Sequence, residues 1–322
     1  IRMENDISLR DKKGFKITVI AILAMLFFIS FILGLTKGTL EVEVKRIFEV
    51  ISKDDGSPER MVIWNIRLPR MILAALVGIN LALSGAILQG VMKNPLADPS
   101  IIGISSGAGL FGIIVLVVFP QYIKMVTIAA FMGAMLAASI IYLLSWKGGI
   151  KTIRVVLAGV AVSSLFAAGI SGILVFYSDR VHGALNFMNG SLSSRSWPEV
   201  WTILPYTIIG FVLANIFADK LNILILGDDV ARGIGLNVEA TRFGFTALAA
   251  FLAASAVSVV GLLGFVGNDY RYMFPATALF GSVLLMLSDT FARTVLSPME
   301  IPVGIVMAVL GVPFFLFLLR RE

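Results

Sequence analysis

Long apolar runs are the feature that most restricts how this chain can fold. Nine of them are each close to the roughly 20 residues that an α-helix needs to cross a bilayer. They cover residues 17–36, 68–92, 99–119, 122–145, 154–177, 200–218, 243–266, 273–291 and 301–319. Apolar residues make up 58% of the 322 residues and charged residues only 14%. A soluble fold could not bury so much apolar surface, so we predict an all-α, polytopic transmembrane helical bundle in which residues 1–322 form a single domain.

The residues that usually carry catalysis or bind metals are scarce. Cysteine is absent and His182 is the only histidine, so there is no disulfide framework and little to hold zinc, haem or an iron–sulfur cluster. His182 is more simply interpreted as a surface residue of an outer turn than as a ligand. Neither G-x-x-x-x-G-K-[ST] nor H-E-x-x-H occurs. We therefore predict a protein that is not an enzyme, binds no cofactor or metal itself, and takes its energy from a partner.

The charge distribution predicts the orientation of the chain. Basic residues within 10–16 precede the first run and no signal-peptide cleavage site follows it, so we interpret it as a retained helix with a cytoplasmic N-terminus. Because the sequence begins at Ile1, we expect the natural start at Met3 or upstream. Lys93 and the basic residues within 147–154 and 219–242 then also fall on cytoplasmic turns. The net charge of +6 fits such loops better than a nucleic-acid surface, so no nucleic-acid partner is expected.

The same charge rule fails at the C-terminus. Nine crossings would place Arg320 and Arg321 outside, whereas an even number would place them in the cytoplasm. An internal repeat matches roughly 67–177 with 240–320 run for run, except that PSIIGISSGAGLFGIIVLVVF has no counterpart. The odd offset makes the halves inverted repeats, a common plan for transporters. We predict ten helices, nine of them visible, with the missing crossing after the seventh run and both termini cytoplasmic.

Few ionisable residues lie within the runs. Asp289 and Arg293 are four residues apart near a helix end, and Asp98 lies near two prolines. Such residues can mark an ion pathway, but a structural ion pair is the simpler interpretation of Asp289 and Arg293. The loop at 219–242 contains DDVARGIGL, which predicts a short helix with Asp228 or Asp229 at its N-terminal end. A short helix on a cytoplasmic face could dock into another protein, and an ordinary connector is the alternative.

Several long motifs resemble those of the FecCD-type permease subunits, the ten-helix permeases of ATP-binding-cassette (ABC) importers for iron–siderophores, haem and vitamin B12. The most characteristic block is RLPRMILAALVGINLALSGAILQGVMKNPLADPSIIGISSGAGL at 67–110. FMNGSLSSRSWPEV at 187–200, LGDDVARGIGLNVEATR at 226–242 and MEIPVGIVMAVLGVPFFLFLL at 299–319 are similar to later family segments. The resemblance covers nearly all of residues 67–319 and implies a type II ABC importer permease.

One departure from the family pattern coincides with the predicted missing crossing. In the family, the F-V-G motif continues into an apolar segment that ends in G-x-D-H-R. Here Phe265-Val266-Gly267 runs directly into Asn268-Asp269, so about a dozen residues are absent. A natural deletion and a stretch left out of this sequence are both open, and the second is favoured because a permease needs its full set of pathway helices to function.

The resemblance assigns site residues to three regions. It makes the cytoplasmic loop the ATPase-coupling element, with Ala231 and Gly235 against the ATPase groove and Asp229 or Arg232 at its polar rim. The coupling residues are Gly227, Asp228, Asp229, Ala231, Arg232, Gly233, Gly235 and Leu236. The residues that would line or gate the pathway are Leu83, Ser84, Ala86, Ile87, Gln89, Gly90, Asn94, Pro95 and Leu96. Gln89 could instead make an interhelical hydrogen bond. Arg60, Arg180 and Arg195 are candidates for docking a binding protein outside, or are solvated surface residues.

The resemblance also implies the partners and the substrate class. A second permease copy or a paralogue, two cytoplasmic ATPase subunits that bind ATP and Mg²⁺, and an extracytoplasmic binding protein are expected around a multi-pass protein of the bacterial plasma membrane. An iron(III)-siderophore is the expected substrate, with haem or cobalamin as the alternative. An ion-coupled secondary transporter and a membrane-embedded enzyme are the rival classes. The second would need buried nucleophiles or metal ligands that the sequence does not supply.

Overall fold

The computed structural model describes residues 13–38, 40–94, 97–100, 103–146, 152–263 and 274–319. These residues form fourteen α-helices and no β-strand. In chain order the helices are α1 (Lys13–Thr36), α2 (Val44–Ser52), α3 (Pro58–Val62), α4 (Leu68–Met92), α5 (Ile104–Ile113), α6 (Val126–Ser145), α7 (Thr152–Phe176), α8 (Val181–Met188), α9 (Trp197–Ile216), α10 (Ala218–Ile225), α11 (Asp228–Gly233), α12 (Val238–Val260), α13 (Phe274–Thr294) and α14 (Val303–Leu319).

Each of the nine apolar runs overlaps one helix of at least ten residues. These helices are α1, α4, α5, α6, α7, α9, α12, α13 and α14. Seven segments of the described chain are long and apolar enough to cross a membrane. α3 and α4 form one of them through a π-helical turn at Ile63–Arg67, whereas Ile104–Val118, which contains α5, is shorter. The prediction of an all-α, polytopic transmembrane bundle is confirmed.

Helix α4 lies at the centre of the bundle. In the most apolar window of its span 83% of the residues are buried within the chain, against 11% for α1 and 22% for α7. Small residues permit this burial, since a Cβ on Gly78 would lie 2.3 Å from the carbonyl oxygen of Gly281 in α13. Gly133 of α6 approaches Gly107 of α5 just as closely. Such contacts let helix backbones pack tightly in lipid, where no hydrophobic effect drives helices together.

Contacts along α4 show the directions of its neighbours. α4 runs from an end near Trp64, here called the Trp64 face, to an end at Lys93, here called the Lys93 face. Asn80 donates a hydrogen bond to Ser255 at 2.9 Å, and Ser84 donates to the carbonyl oxygen of Ala249 at 2.7 Å, so α12 is antiparallel to α4. α13 is also antiparallel to α4, because Arg70 contacts Asp289 while Gly78 contacts Gly281.

Two helices that follow each other in the chain, α12 and α13, therefore run in the same direction. The last residue of α12 therefore lies nearer the Trp64 face than the first residue of α13 does. From the pairings along α4, Val260 and Phe274 are offset by roughly ten residues of α4, on the order of 15 Å along the helix axis. This parallel arrangement agrees with the crossing that charge parity and the internal repeat together predicted after the seventh run. The predicted tenth crossing itself falls on 264–273 and lies outside the described residues.

Helix α1 is fixed to the bundle mainly at its C-terminal end. The Arg67 guanidinium donates to the carbonyl oxygens of Leu35 at 2.7 Å and Thr36 at 3.2 Å, and also to that of Leu40. Arg293 donates to the carbonyl oxygen of Gly34. The last carbonyls of a helix have no partner within the helix, and cations there also interact favourably with the helix dipole. Two buried arginines thus attach a helix that is otherwise largely exposed.

Helices of one half of the chain pack against helices of the other half. α4 of the first half packs against α13 of the second, and α12 of the second half packs against α6 of the first, where the Phe131 and Phe251 rings are 6.0 Å apart. The sequence repeat aligns AFMG, which ends at Gly133, with ALFG, which ends at Gly281, and both glycines form close backbone contacts. The division into repeats at 67–177 and 240–320 stays a prediction.

Candidate functional site

The segment predicted to couple to a partner, residues 219–242, lies on the Lys93 face and is folded. α10 and α11 are followed by the first turn of α12. Gly227 and Gly235 flank α11 with φ of +126° and +89°, values that favour glycine because it has no Cβ. The Asn237 side chain accepts a hydrogen bond from the Ala240 N–H at 3.0 Å and caps α12. The predicted short helix is present, and glycines set both of its ends.

Asp228, the first residue of α11, is held inside the fold by two cations. One of its carboxylate oxygens lies 3.0 Å from Lys93 Nζ and 2.8 Å from Arg242 Nη2. Partial burial raises the pKa of Asp228, but the hydrogen bonds and charges of Lys93 and Arg242 outweigh this effect and lower the pKa below its usual value. Asp228 is therefore ionised at neutral pH. Its carboxylate joins α11 to Lys93 at the end of α4 and to Arg242 of α12.

Residues 226–236, here called the α11 segment, expose three large apolar side chains. Leu226, Val230 and Ile234 are spaced four residues apart and are all exposed. Ala231, expected against the ATPase groove, is instead fully buried within the chain, because the single turn of α11 directs it inward against its own neighbours. Gly235 is exposed, with no atom within 4 Å of where a Cβ would lie. The i, i+4 spacing of Val230 and Ile234 was the sequence signal that could have identified this surface.

The remaining predicted coupling residues lie close to Leu226, Val230 and Ile234 in the sequence. Asp229 and Gly233 are exposed. Arg232 is exposed and pairs with Glu239 of α12 at 2.9 Å. Leu236 is half-buried and lines a cavity of about 500 Å³ between α9, α10 and α12. The loop 219–242 thus presents apolar residues flanked by charged ones on the Lys93 face, a pattern suited to contact with another protein.

The predicted pathway residues lie at the centre of this single chain. All of the predicted residues on α4 are buried, namely Leu83, Ser84, Ala86, Ile87, Gln89 and Gly90. The Asn94 N–H donates to the carbonyl oxygen of Gln89 at 3.1 Å just after α4 ends. Pro95 and Leu96 lie outside the described residues, as does the side chain of His182. Asp98 is half-buried and accepts a hydrogen bond from the Ser100 N–H at 2.6 Å.

The three arginines predicted to dock a binding protein all have partners within the chain. Arg60 lies 2.8 Å from Asp54 and stacks over the Trp64 ring at 5.4 Å. Arg180 donates to the carbonyl oxygen of Val117 at 3.1 Å and lies 3.5 Å from the neighbouring Asp179. Arg195 is 4.0 Å from Glu199. A binding protein would have to compete with these contacts, and the docking role stays a prediction.

A buried ion network at the Trp64 face joins α4, α13 and the loop before α14. Arg70 contacts Asp289 through Nε at 3.0 Å and Nη2 at 2.9 Å, and its Nη1 lies 3.0 Å from Glu300. Arg293 lies 3.8 Å from Asp289, and Ser193 donates to Glu300. The Asp289 side chain is fully buried, and those of Arg70 and Arg293 are nearly so. The predicted ion pair of Asp289 and Arg293 therefore has a third member, Arg70. The contact between Arg70 and Asp289 joins residues that are 219 positions apart in the sequence.

Membrane-crossing helices around a buried α4, with a folded segment at 219–242 on one face, define a polytopic membrane protein. The described residues contain no group of three or more histidine, cysteine, aspartate or glutamate side chains that could hold a metal ion. The FecCD transport family model matches residues 25–321, and the chain belongs to this family.

Known relatives and a solved structure agree with that family. The Fe(3+)-citrate import system permease protein YfmD of Bacillus subtilis is 33% identical over 326 residues, 98% of each chain. The hemin transport system permease protein HmuU of Yersinia pestis is 39% identical over 284 residues, 81% of this chain and 84% of that protein. A structure described as an inward-facing conformation of a metal-chelate type ABC transporter superposes with a TM-score of 0.83 at 26% identity, covering 95% of this chain and 99% of that one.

Proposed function

We propose that this chain is the permease subunit of an ABC importer that moves a metal chelate, an iron(III)-siderophore in the first instance, into the cytoplasm. The observation that carries the proposal is the α11 segment, with exposed Leu226, Val230 and Ile234 beside a carboxylate bound to the end of α4. Membership of the FecCD transport family and relatives named as Fe(3+)-citrate and hemin permeases support it. Haem and cobalamin remain the alternative substrates.

The Lys93 face is the cytoplasmic face in this proposal, and the membrane is the bacterial plasma membrane. Lys93, Lys220, Arg232 and Arg242 all lie on the Lys93 face, as the preference for basic residues in cytoplasmic loops requires. The direction of α1 from the Lys93 face to the Trp64 face supports a cytoplasmic N-terminus, since its C-terminal end contacts Arg67 and Arg293.

The partners follow from what one chain leaves incomplete. ATP and Mg²⁺ would be bound by two ATPase subunits docked on the α11 segment, and a binding protein would deliver the chelate at the Trp64 face. α7 exposes large apolar side chains along its length, including Ile153, Leu157 and Leu165. A second copy or paralogue packed near α7 would enclose a pathway between the two permeases. The buried α4 residues would then act by setting the positions of the helices around that pathway, with Gln89 and Gly90 nearest the cytoplasmic end.

The proposal is tested by reconstituting the purified permease in lipid vesicles with its ATPase subunits and binding protein. We expect the ATPase subunits to co-purify, and ATP hydrolysis to rise when an iron(III)-siderophore-loaded binding protein is added. Haem and cobalamin added separately identify the substrate. The matched control uses an ATPase whose phosphate-binding lysine is replaced. Uptake that persists with this control and is abolished by an ionophore would overturn the proposal in favour of a secondary transporter.

A further inference from the structure

The two adjacent acidic residues that start α11 have different surroundings. Asp228 accepts from Lys93 and Arg242, whereas Asp229 is exposed and makes no ion pair within the described chain. Both carry one carboxylate at the same end of the same short helix, and the one-residue difference in register decides which of them faces the neighbouring helices. Asp228 faces the helices of its own chain, whereas Asp229 faces outward on the surface where the proposed ATPase subunit would dock.

The two cations that bind Asp228 come from the ends of the two helices that form the core. Lys93 directly follows α4, where its left-handed φ of 50° and its N–H bond to the carbonyl oxygens of Gln89 and Gly90 fix its backbone. Arg242 lies in the first turns of α12, and its side chain is only 12% exposed. α4 and α12 are themselves joined deeper in the bundle by Asn80–Ser255 and by Ser84.

We propose that Asp228 is a positioning residue that transmits the displacement of α11 to α4 and α12 together. This inference rests on the proposed function, in which an ATPase subunit moves the α11 segment. Because one carboxylate oxygen accepts from both cations, a shift of α11 changes both contacts at once. Arg232 and Glu239 join α11 to α12 alone, so they cannot move α4 in the same way.

The energetics favour a mechanical role over a stabilising one. The Asp228 and Lys93 side chains are about one-third exposed, at 32% and 33%, and ion pairs this accessible to water add little to stability. Removing the Asp228 charge should therefore leave the helices folded. What is lost is the fixed distance between α11 and the end of α4.

The test compares Asp228→Asn with Asp229→Asn in the complete importer in vesicles. We expect Asp228→Asn to retain its ATPase subunits on purification but to transport roughly three- to tenfold less substrate per ATP hydrolysed. Asp228→Glu, which keeps the carboxylate, should recover part of that ratio. Asp229→Asn should act through docking, with less ATPase subunit co-purified and an unchanged ratio for the complexes that form. Glu41→Gln, which removes a 2.7 Å pair with Lys37 at the opposite face, serves as the control for loss of an ion pair.

A double-mutant cycle with Lys93→Met identifies the partner. If the contact between Asp228 and Lys93 transmits motion, the double variant Asp228→Asn, Lys93→Met should transport no less substrate per ATP hydrolysed than either single variant. The inference is overturned if Asp228→Asn has the wild-type ratio, if it releases the ATPase subunits as Asp229→Asn does, or if the two losses are additive. A wild-type permease that neither retains an ATPase nor responds to ATP would instead contradict the proposed function, so the two failures are distinguishable.

Discussion

Arg70 of α4 and Asp289 of α13 form a two-point ion pair inside the bundle, with nitrogen–oxygen distances of 3.0 and 2.9 Å. The Asp289 side chain is completely buried, and that of Arg70 is 6% exposed. Charges removed from water are tolerated only when they are paired and hydrogen-bonded. The pair therefore fixes the Trp64 ends of two helices that also cross closely at Gly78 and Gly281.

Removing one member of this pair should be more damaging than removing both. Asp289→Asn leaves Arg70 and Arg293 without their shared carboxylate, and we expect it to destabilise the protein by about 3–5 kcal/mol. The combined change Arg70→Met and Asp289→Leu should be milder than either single change. Thermal or denaturant unfolding in detergent measures the difference. If the loss of stability in the double variant equals the sum of the losses in the two single variants, the two residues act independently.

The glycine crossing between α4 and α13 should not tolerate a methyl group. A Cβ on Gly281 would lie 2.3 Å from the carbonyl oxygen of Gly78, so we expect Gly281→Ala to cost about 1–3 kcal/mol through forced separation of the helices. Gly172→Ala in α7 is the matched control, because no atom lies within 4 Å of its added Cβ. Equal unfolding midpoints for the two variants would contradict the close packing.

The absence of cysteine makes the orientation directly measurable. We expect Glu43→Cys, exposed before α2 on the Trp64 face, to react with a membrane-impermeant maleimide in intact cells. Ala240→Cys, exposed at the start of α12 on the Lys93 face, should react only after the cells are permeabilised. The unmodified chain, which has no cysteine, is the control for background labelling. The reverse pattern would invert the proposed topology.

The exposed strip on α11 should bind the ATPase through apolar contacts. We expect Val230→Asp or Ile234→Asp to abolish co-purification of the ATPase subunits while the unfolding midpoint stays near that of wild type, because both side chains are on the surface. Phe48→Asp on the exposed side of α2, at the Trp64 face, is the matched control. An ATPase that still binds Val230→Asp and Ile234→Asp would place the docking surface elsewhere.

The natural chain should contain extra residues after Gly267. The family pattern has about a dozen residues between F-V-G and G-x-D-H-R that this sequence lacks, and charge parity and the internal repeat both indicate a crossing at that point. We expect the gene to encode about a dozen more residues there, and the intact protein to weigh more than 34.7 kDa. A native mass equal to 34.7 kDa would indicate a natural deletion.

Sequence patterns predicted the helices better than they predicted the surfaces. The nine runs all overlap helices, and charge parity together with the internal repeat predicted a missing crossing after the seventh run, which agrees with the parallel directions of α12 and α13. Sequence reasoning assigned Ala231 to a docking surface, where the structure has Val230 and Ile234 exposed instead. It also missed Arg70 as the partner of Asp289. The first error arose because one residue of register decides which side chain of a short helix faces out, and the second because no local pattern reports a contact across 219 residues.

The sequence by itself determined that this chain forms transmembrane helices, and roughly where they lie. In lipid each helix must satisfy its backbone hydrogen bonds within its own segment, so the information needed is local. Only the tertiary structure decided that α4 is the central helix, that Asp228 faces Lys93 while Asp229 faces outward, and that Arg67 and Arg293 hold α1. Those outcomes depend on which small residues let helices that are distant in the sequence pack closely. They also depend on which buried charged side chains then lie close enough to form ion pairs or hydrogen bonds.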